Sequence, residues 1–184
     1  MRERWAMFVI GVWLAGSLVM FVVATQNFRT VDRLLADSAN SAFRAQVEQL
    51  GPAHGRELLR YLSSELNRLY FQLWNAAQLA LGILVLWLLR RSPEHAAVRR
   101  GVVAMTGLVL LMTVWLQPEI TSLGRSLDFV PRDPPPPGFS RFWTLHAMYT
   151  ALELCKLAAG TLVAVLIARN TRETGRVASV SAAP

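Results

Sequence analysis

Three ionisable side chains stand inside an apolar run long enough to cross a bilayer. Between Phe142 and Ala168 the only His, Asp, Glu, Lys or Arg residues are His146, Glu153 and Lys156. As a helix, the run of about 27 residues reaches ~40 Å at 1.5 Å per residue. At 100° per residue, His146, Tyr149, Thr150, Glu153, Lys156 and Gly160 share one side of it. Counted from Phe142, Glu153 lies ~16 Å along the axis, close to mid-bilayer. Lys156, three residues on, can pair with it along the same helix. Charges at this depth usually face other helices or a wet cavity. Three chemistries therefore compete: a self-neutralising structural ion pair, a proton or ion relay with His146 near one surface, and a lipid or small-solute pocket.

A second polar stripe lies earlier in the chain. Glu65, Arg68, Gln72, Asn75, Gln78 and Gly82 cover one broad face of a helix whose opposite face is Leu, Ile, Val and Trp. Amides in a spanning helix hydrogen-bond to neighbouring helices, so this face is expected to hold helices together.

Other chemistries find few residues. Bis-histidine haem needs two ligands at membrane depth, and only His146 qualifies, because His54 and His95 fall in expected loops. The three histidines show no metal-ligand spacing. The single cysteine, Cys155, excludes an intramolecular disulfide. No G-x-S-x-G or H-E-x-x-H motif occurs. The expectation is a protein with no catalytic residue, no metal and no cofactor.

Composition sets the class. The 184 residues are 53% hydrophobic and only 17% charged, with mean hydropathy +0.34. The formal charge of +7 is almost all arginine, since Lys156 is the only lysine. The arginines cluster beside apolar runs, which fits topology and lipid headgroups better than nucleic acid. The expected partners are the lipid bilayer and either a protein partner or further copies of the chain.

Residues 1–168 read as one all-α membrane domain, a four-helix bundle with spans at about 5–25, 69–89, 101–117 and 142–168. The first apolar run, about 20 residues long, exceeds the 7–15 of a signal peptide and reads as an uncleaved span. Gly11 and Ala15 form a small-xxx-small pair on it, and with Gly82 and Gly160 are the candidate close-packing positions. The first outer loop, 26–68, shows helical periodicity punctuated by Gly51-Pro52 and Gly55. It predicts two or three amphipathic helices lying on or against the membrane, the last running into the second span, or else a small cap packed on itself. Pro118 is expected to end or kink the third helix. Pro134–Pro137 must be extended. Residues 169–184 are polar and small, and a disordered tail is expected.

Orientation follows from the arginines. The N-terminal stub, the 90–100 loop and the tail hold nine arginines in about 31 residues, against three acids. The two longer loops hold nine over about 68 residues, balanced by eight acids. Arginine-dense short segments stay in the cytoplasm, so both termini are expected there, in a bacterial inner membrane.

Thr25-Gln26-Asn27-Phe28-Arg29 after the first span, Pro118 after the third, and Phe142-x-x-Leu145-His146-x-x-Tyr149 opening the fourth carry a family resemblance. Together they resemble a bacterial four-helix membrane family that is itself similar to a eukaryotic transmembrane protein implicated in cisplatin resistance. Asn27 stands where that family usually has proline. Tyr149 and Glu153 stand where it tends to have a small residue and an amide. The resemblance implies a four-span bundle without an established activity. The reading is thus a structural or partner-binding membrane protein, with a small transporter or proton conduit through the fourth helix as the alternative.

Overall fold

The computed structural model describes residues 1–91 and 95–181, with side chains through Asn170. The described residues are all-helical, without a strand: α1 (Arg2–Ala36), α2 (Ser41–Leu50), α3 (Pro52–Leu89), α4 (Ala96–Leu111), α5 (Gln117–Ser126) and α6 (Phe139–Ser181). One π-helical turn, Met112–Leu116, joins α4 to α5, so Ala96–Ser126 is one helix of 31 residues. Four helices are long and apolar enough to cross a membrane: α1, α3, α4 with α5, and α6 as far as Asn170. Many large apolar side chains on them point outward, among them Phe8, Leu73, Ile83, Val114 and Leu162, as lipid contact requires.

α1 packs on α3 and α6, and α4 packs on α3 and α6. Their main core joins Ala6, Ile10 and Trp13 of α1, Val85 and Leu89 of α3, Val98, Val102 and Met105 of α4, and Val163 and Ile167 of α6. A smaller core joins Met112 and Leu116 to Leu145 and Tyr149.

The segment 26–68 is helical and its last helix runs into the second span, as its periodicity predicts, but its first part continues α1. Only α2 is a separate helix there; the rest is the end of α1 and the start of α3. At 1.5 Å per residue α1 runs ~52 Å and α3 ~57 Å, well past a ~30 Å hydrocarbon core. Polar contacts hold the two ends together beyond it. Asn27 Nδ2 donates to Asn67 Oδ1 at 2.6 Å, and Asn67 Nδ2 donates to the Ala24 carbonyl at 3.0 Å. Arg56 pairs with Asp32 at 2.8 Å. Part of the apolar periodicity packs one helix on another, since Val31 is buried, while Leu50, Leu58 and Leu62 stay exposed. The corner between α2 and α3 uses Gly51 at φ +83°, which a side chain would strain, followed by Pro52 in the first helical turn.

Pro118 does not stop the third helix. The Gln117 N–H reaches back to the Met112 carbonyl, an i to i+5 bond, and Pro118 enters the first turn of α5 without ending the helix. α6 runs on as backbone to Ser181, through most of the segment expected to be a disordered tail; residues 182–184 lie outside the described residues. So do residues 92–94 of the arginine-rich loop.

Candidate functional site

α6 turns a stripe of Leu145, Tyr149, Lys156, Gly160, Val163 and Ile167 toward the other helices. Three- and four-residue steps keep such positions on one face. Lys156 is fully buried. Its Nζ donates to Glu153 Oε2 at 2.5 Å and to the Gln78 Oε1 of α3. Gln78 Oε1 also accepts from Trp13 Nε1 of α1 at 2.9 Å. Gln78 Nε2 donates to Asn75 Oδ1 at 3.2 Å, and Tyr149 OH donates to the same oxygen at 3.1 Å. Asn75 Nδ2 then donates to Gln117 Oε1 at 2.6 Å, where α5 begins.

One connected network therefore touches every long apolar helix. Trp13 comes from α1, Asn75 and Gln78 from α3, Gln117 from the α4–α5 helix, and Tyr149, Glu153 and Lys156 from α6. Lys156 sits ~22 Å along the helix from Arg141 and ~20 Å from Arg169, far from either charged end. The main core lies on its Arg169 side and the smaller core on its Arg141 side. Both layers are apolar and Asn75, Gln78 and Lys156 are fully buried, so the hydrogen bonds among them are strong and costly to lose. Among its polar atoms, Glu153 Oε1 and Gln117 Nε2 are buried without a hydrogen-bond partner.

The sequence placed most of these residues on two faces but did not place all of them correctly. Asn75, Gln78, Tyr149, Glu153 and Lys156 come together. His146 does not: it is exposed, with its ring 4.7 Å from that of Phe142 and 5.8 Å from that of Trp143. It is one residue, 100°, past the buried Leu145. Gln72 is also exposed and lines an open cleft with Thr113, Gln117 and Arg125. Trp13 and Gln117 were missed as partners. Gln117 carried a signal, an amide beside a proline at the end of an apolar run, whereas a tryptophan in an apolar run is indistinguishable from core.

Small residues divide in the same way. A Cβ on Gly82 would run into Thr106 Oγ1 and lie 3.1 Å from Trp13, and one on Gly160 would lie 2.6 Å from Leu14. Gly11 and Ala15 face outward, and a Cβ on Gly11 meets nothing. On α1 the close approach is at Gly16, which a side chain would drive into the Trp74 ring.

His95, expected in a loop, is fully buried at the start of α4, with Nε2 3.5 Å from Glu3 Oε1. It lies at the opposite end of the helices from His146, so the two cannot ligate one group. No cluster of three or more His, Cys, Asp or Glu side chains suited to a metal ion occurs among the described residues. At the far end of α3, Glu65 forms a rim of charge pairs: 2.6 Å to Arg68 and 3.1 Å to Arg125, while Arg68 also reaches Asp128 at 2.9 Å. The Arg125 hydrogen bond, with Arg68, holds the Glu65 carboxyl below its ordinary range.

No protein family, curated protein or solved structure matches the chain.

Proposed function

We propose that the chain is a non-enzymatic protein of a bacterial inner membrane, a four-helix bundle with a structural or partner-binding role, locked by its polar core. Lys156 carries this reading. A fully buried ammonium satisfied by a carboxylate from its own helix and an amide from α3 joins two helices in one register. Buried polar groups have their best-attested role in fixing register and partner choice. The family resemblance implies the same layout, four spans without an established activity.

Two observations weigh against a proton conduit. Between the open cleft and Lys156 the hydrogen-bonded route passes through the Gln117, Asn75 and Gln78 amides. A side-chain amide hands on a proton only by passing through a high-energy imidic acid, unlike a carboxylate, imidazole or water. On the other side, Met105, Val102, Val163 and Ile167 fill the interior with apolar side chains. Proteoliposomes loaded with a pH-sensitive dye are expected to show no proton flux. Flux that disappears in Glu153→Gln would decide for the conduit. A reporter active only outside the cytoplasm, fused after Ala183, is expected to stay silent, because the arginine-dense segments belong inside.

A further inference from the structure

An open cleft of about 480 Å³ lies between α3 and the α4–α5 helix, within the range of small-molecule sites. Its polar lining is Gln72, Thr113, Gln117, Thr121, Ser122 and Arg125. Gln117 is only 7% exposed, and its Oε1 is taken by Asn75 while its Nε2 has no partner. The π-helical turn also leaves a backbone carbonyl without its usual helical donor. The Gln117 N–H bonds the Met112 carbonyl, and Pro118 has no N–H, so neither donates to the Thr113 carbonyl. Turns of this kind occur often at functional sites. Arg125 uses Nε and Nη2 on Glu65, which leaves Nη1.

The depth of these groups identifies what they meet. Measured from Arg100 at the opposite end of the helix, Gln117 lies ~25 Å along the axis and Arg125 ~37 Å. Gln72 lies ~27 Å from Arg90 along α3. A hydrocarbon core ~30 Å thick therefore ends between Gln117 and Arg125. A phospholipid places its glycerol ester carbonyls at that boundary and its phosphate just outside it. Glu65 offsets the charge of Arg125, so the site favours a singly charged phosphodiester over a free phosphate dianion.

We propose that this cleft holds the head group of a glycerophospholipid. Its phosphodiester takes hydrogen bonds from Arg125 Nη1 and the hydroxyls of Thr121 and Ser122. An ester carbonyl takes one from the Gln117 amide, with Gln72 at the mouth. The site stands whether or not the polar core conducts anything, since it requires only that the four helices cross the bilayer.

Native mass spectrometry of the full chain in detergent with added phosphatidylglycerol tests it, beside a thermal melt. The wild type is expected to retain one lipid per chain and to melt higher with lipid. Ser122→Phe, which fills the cleft from an exposed position, is expected to weaken retention by about tenfold or more without lowering the lipid-free melt. If Ser122→Phe fails to fold, the exposed Gln72→Leu carries the test and is expected to weaken retention. Inorganic phosphate is expected to leave the melt unchanged. The proposal is overturned if no lipid is retained in stoichiometric amount, if both variants retain it as the wild type does, or if inorganic phosphate protects as well as the lipid.

Discussion

The Lys156 ammonium donates to the side-chain oxygen of Gln78, 78 positions earlier in the chain, and both residues are fully buried. The Trp13 indole N–H reaches the same oxygen. One amide oxygen thus ties α1, α3 and α6 together.

Removing either charge of the α6 pair alone should be worse than removing both. Lys156→Met leaves the Glu153 carboxylate mostly buried without its counter-ion, and breaking such a pair costs about 3–5 kcal/mol. The double variant Glu153→Gln with Lys156→Met should recover most of that loss, since an uncharged pair needs no compensation. Unfolding in detergent micelles, analysed as a double-mutant cycle, measures the difference. Simple additivity of the two single losses would remove the pair from the account.

Asn75 should matter more than the tyrosine that points at it. Tyr149→Phe loses one hydrogen bond between helices, worth ~0.6 kcal/mol in a membrane protein. Asn75→Leu removes the partner of Gln117, Gln78 and Tyr149 at once. It should cost roughly 2 kcal/mol or more, because each group left behind is buried. Equal melting of the two variants would refute the ranking.

Glycine substitutions should separate packed from free positions. Gly82→Ala should destabilise by about 1–3 kcal/mol, because its methyl has no room beside Thr106 and Trp13. Gly11→Ala should be neutral or slightly stabilising, since open space surrounds it and alanine is the better helix former. A loss at Gly11 equal to that at Gly82, measured in dilute micelles, would show that α1 packs through its Gly11 face rather than through Gly16 on Trp74.

The Glu65 rim should respond to acid. Its carboxyl is held below the ordinary value of 4.5, chiefly by the Arg125 hydrogen bond. The unfolded chain therefore binds a proton at higher pH than the folded one, so this contribution is complete above the ordinary carboxylate range and fades as pH falls through the lowered value. Arg125→Gln should flatten the acid limb of a melting-temperature profile. The pair is exposed, so salt should weaken the effect in the wild type as well. An acid limb unchanged in Arg125→Gln would place the titrating group elsewhere.

Hydrophobicity alone specified four long apolar helices, because a bilayer accepts few other structures and twenty apolar residues have few other uses. Helical periodicity also identified the amide face of α3 and the Glu153–Lys156 step on α6, since both are properties of one helix. What periodicity cannot supply is the rotation of each helix against its neighbours. A polar face six residues wide covers more of the helix than one contact does. Packing brought Asn75 and Gln78 inward and left Gln72 at a cleft, and it buried Tyr149 and Lys156 while leaving His146 outside. The same rotation made Gly16 rather than Gly11 the close approach on α1. Trp13 and Gln117 entered the network only through tertiary contact, because a hydrogen bond between residues 65 or 42 positions apart leaves no trace in local spacing.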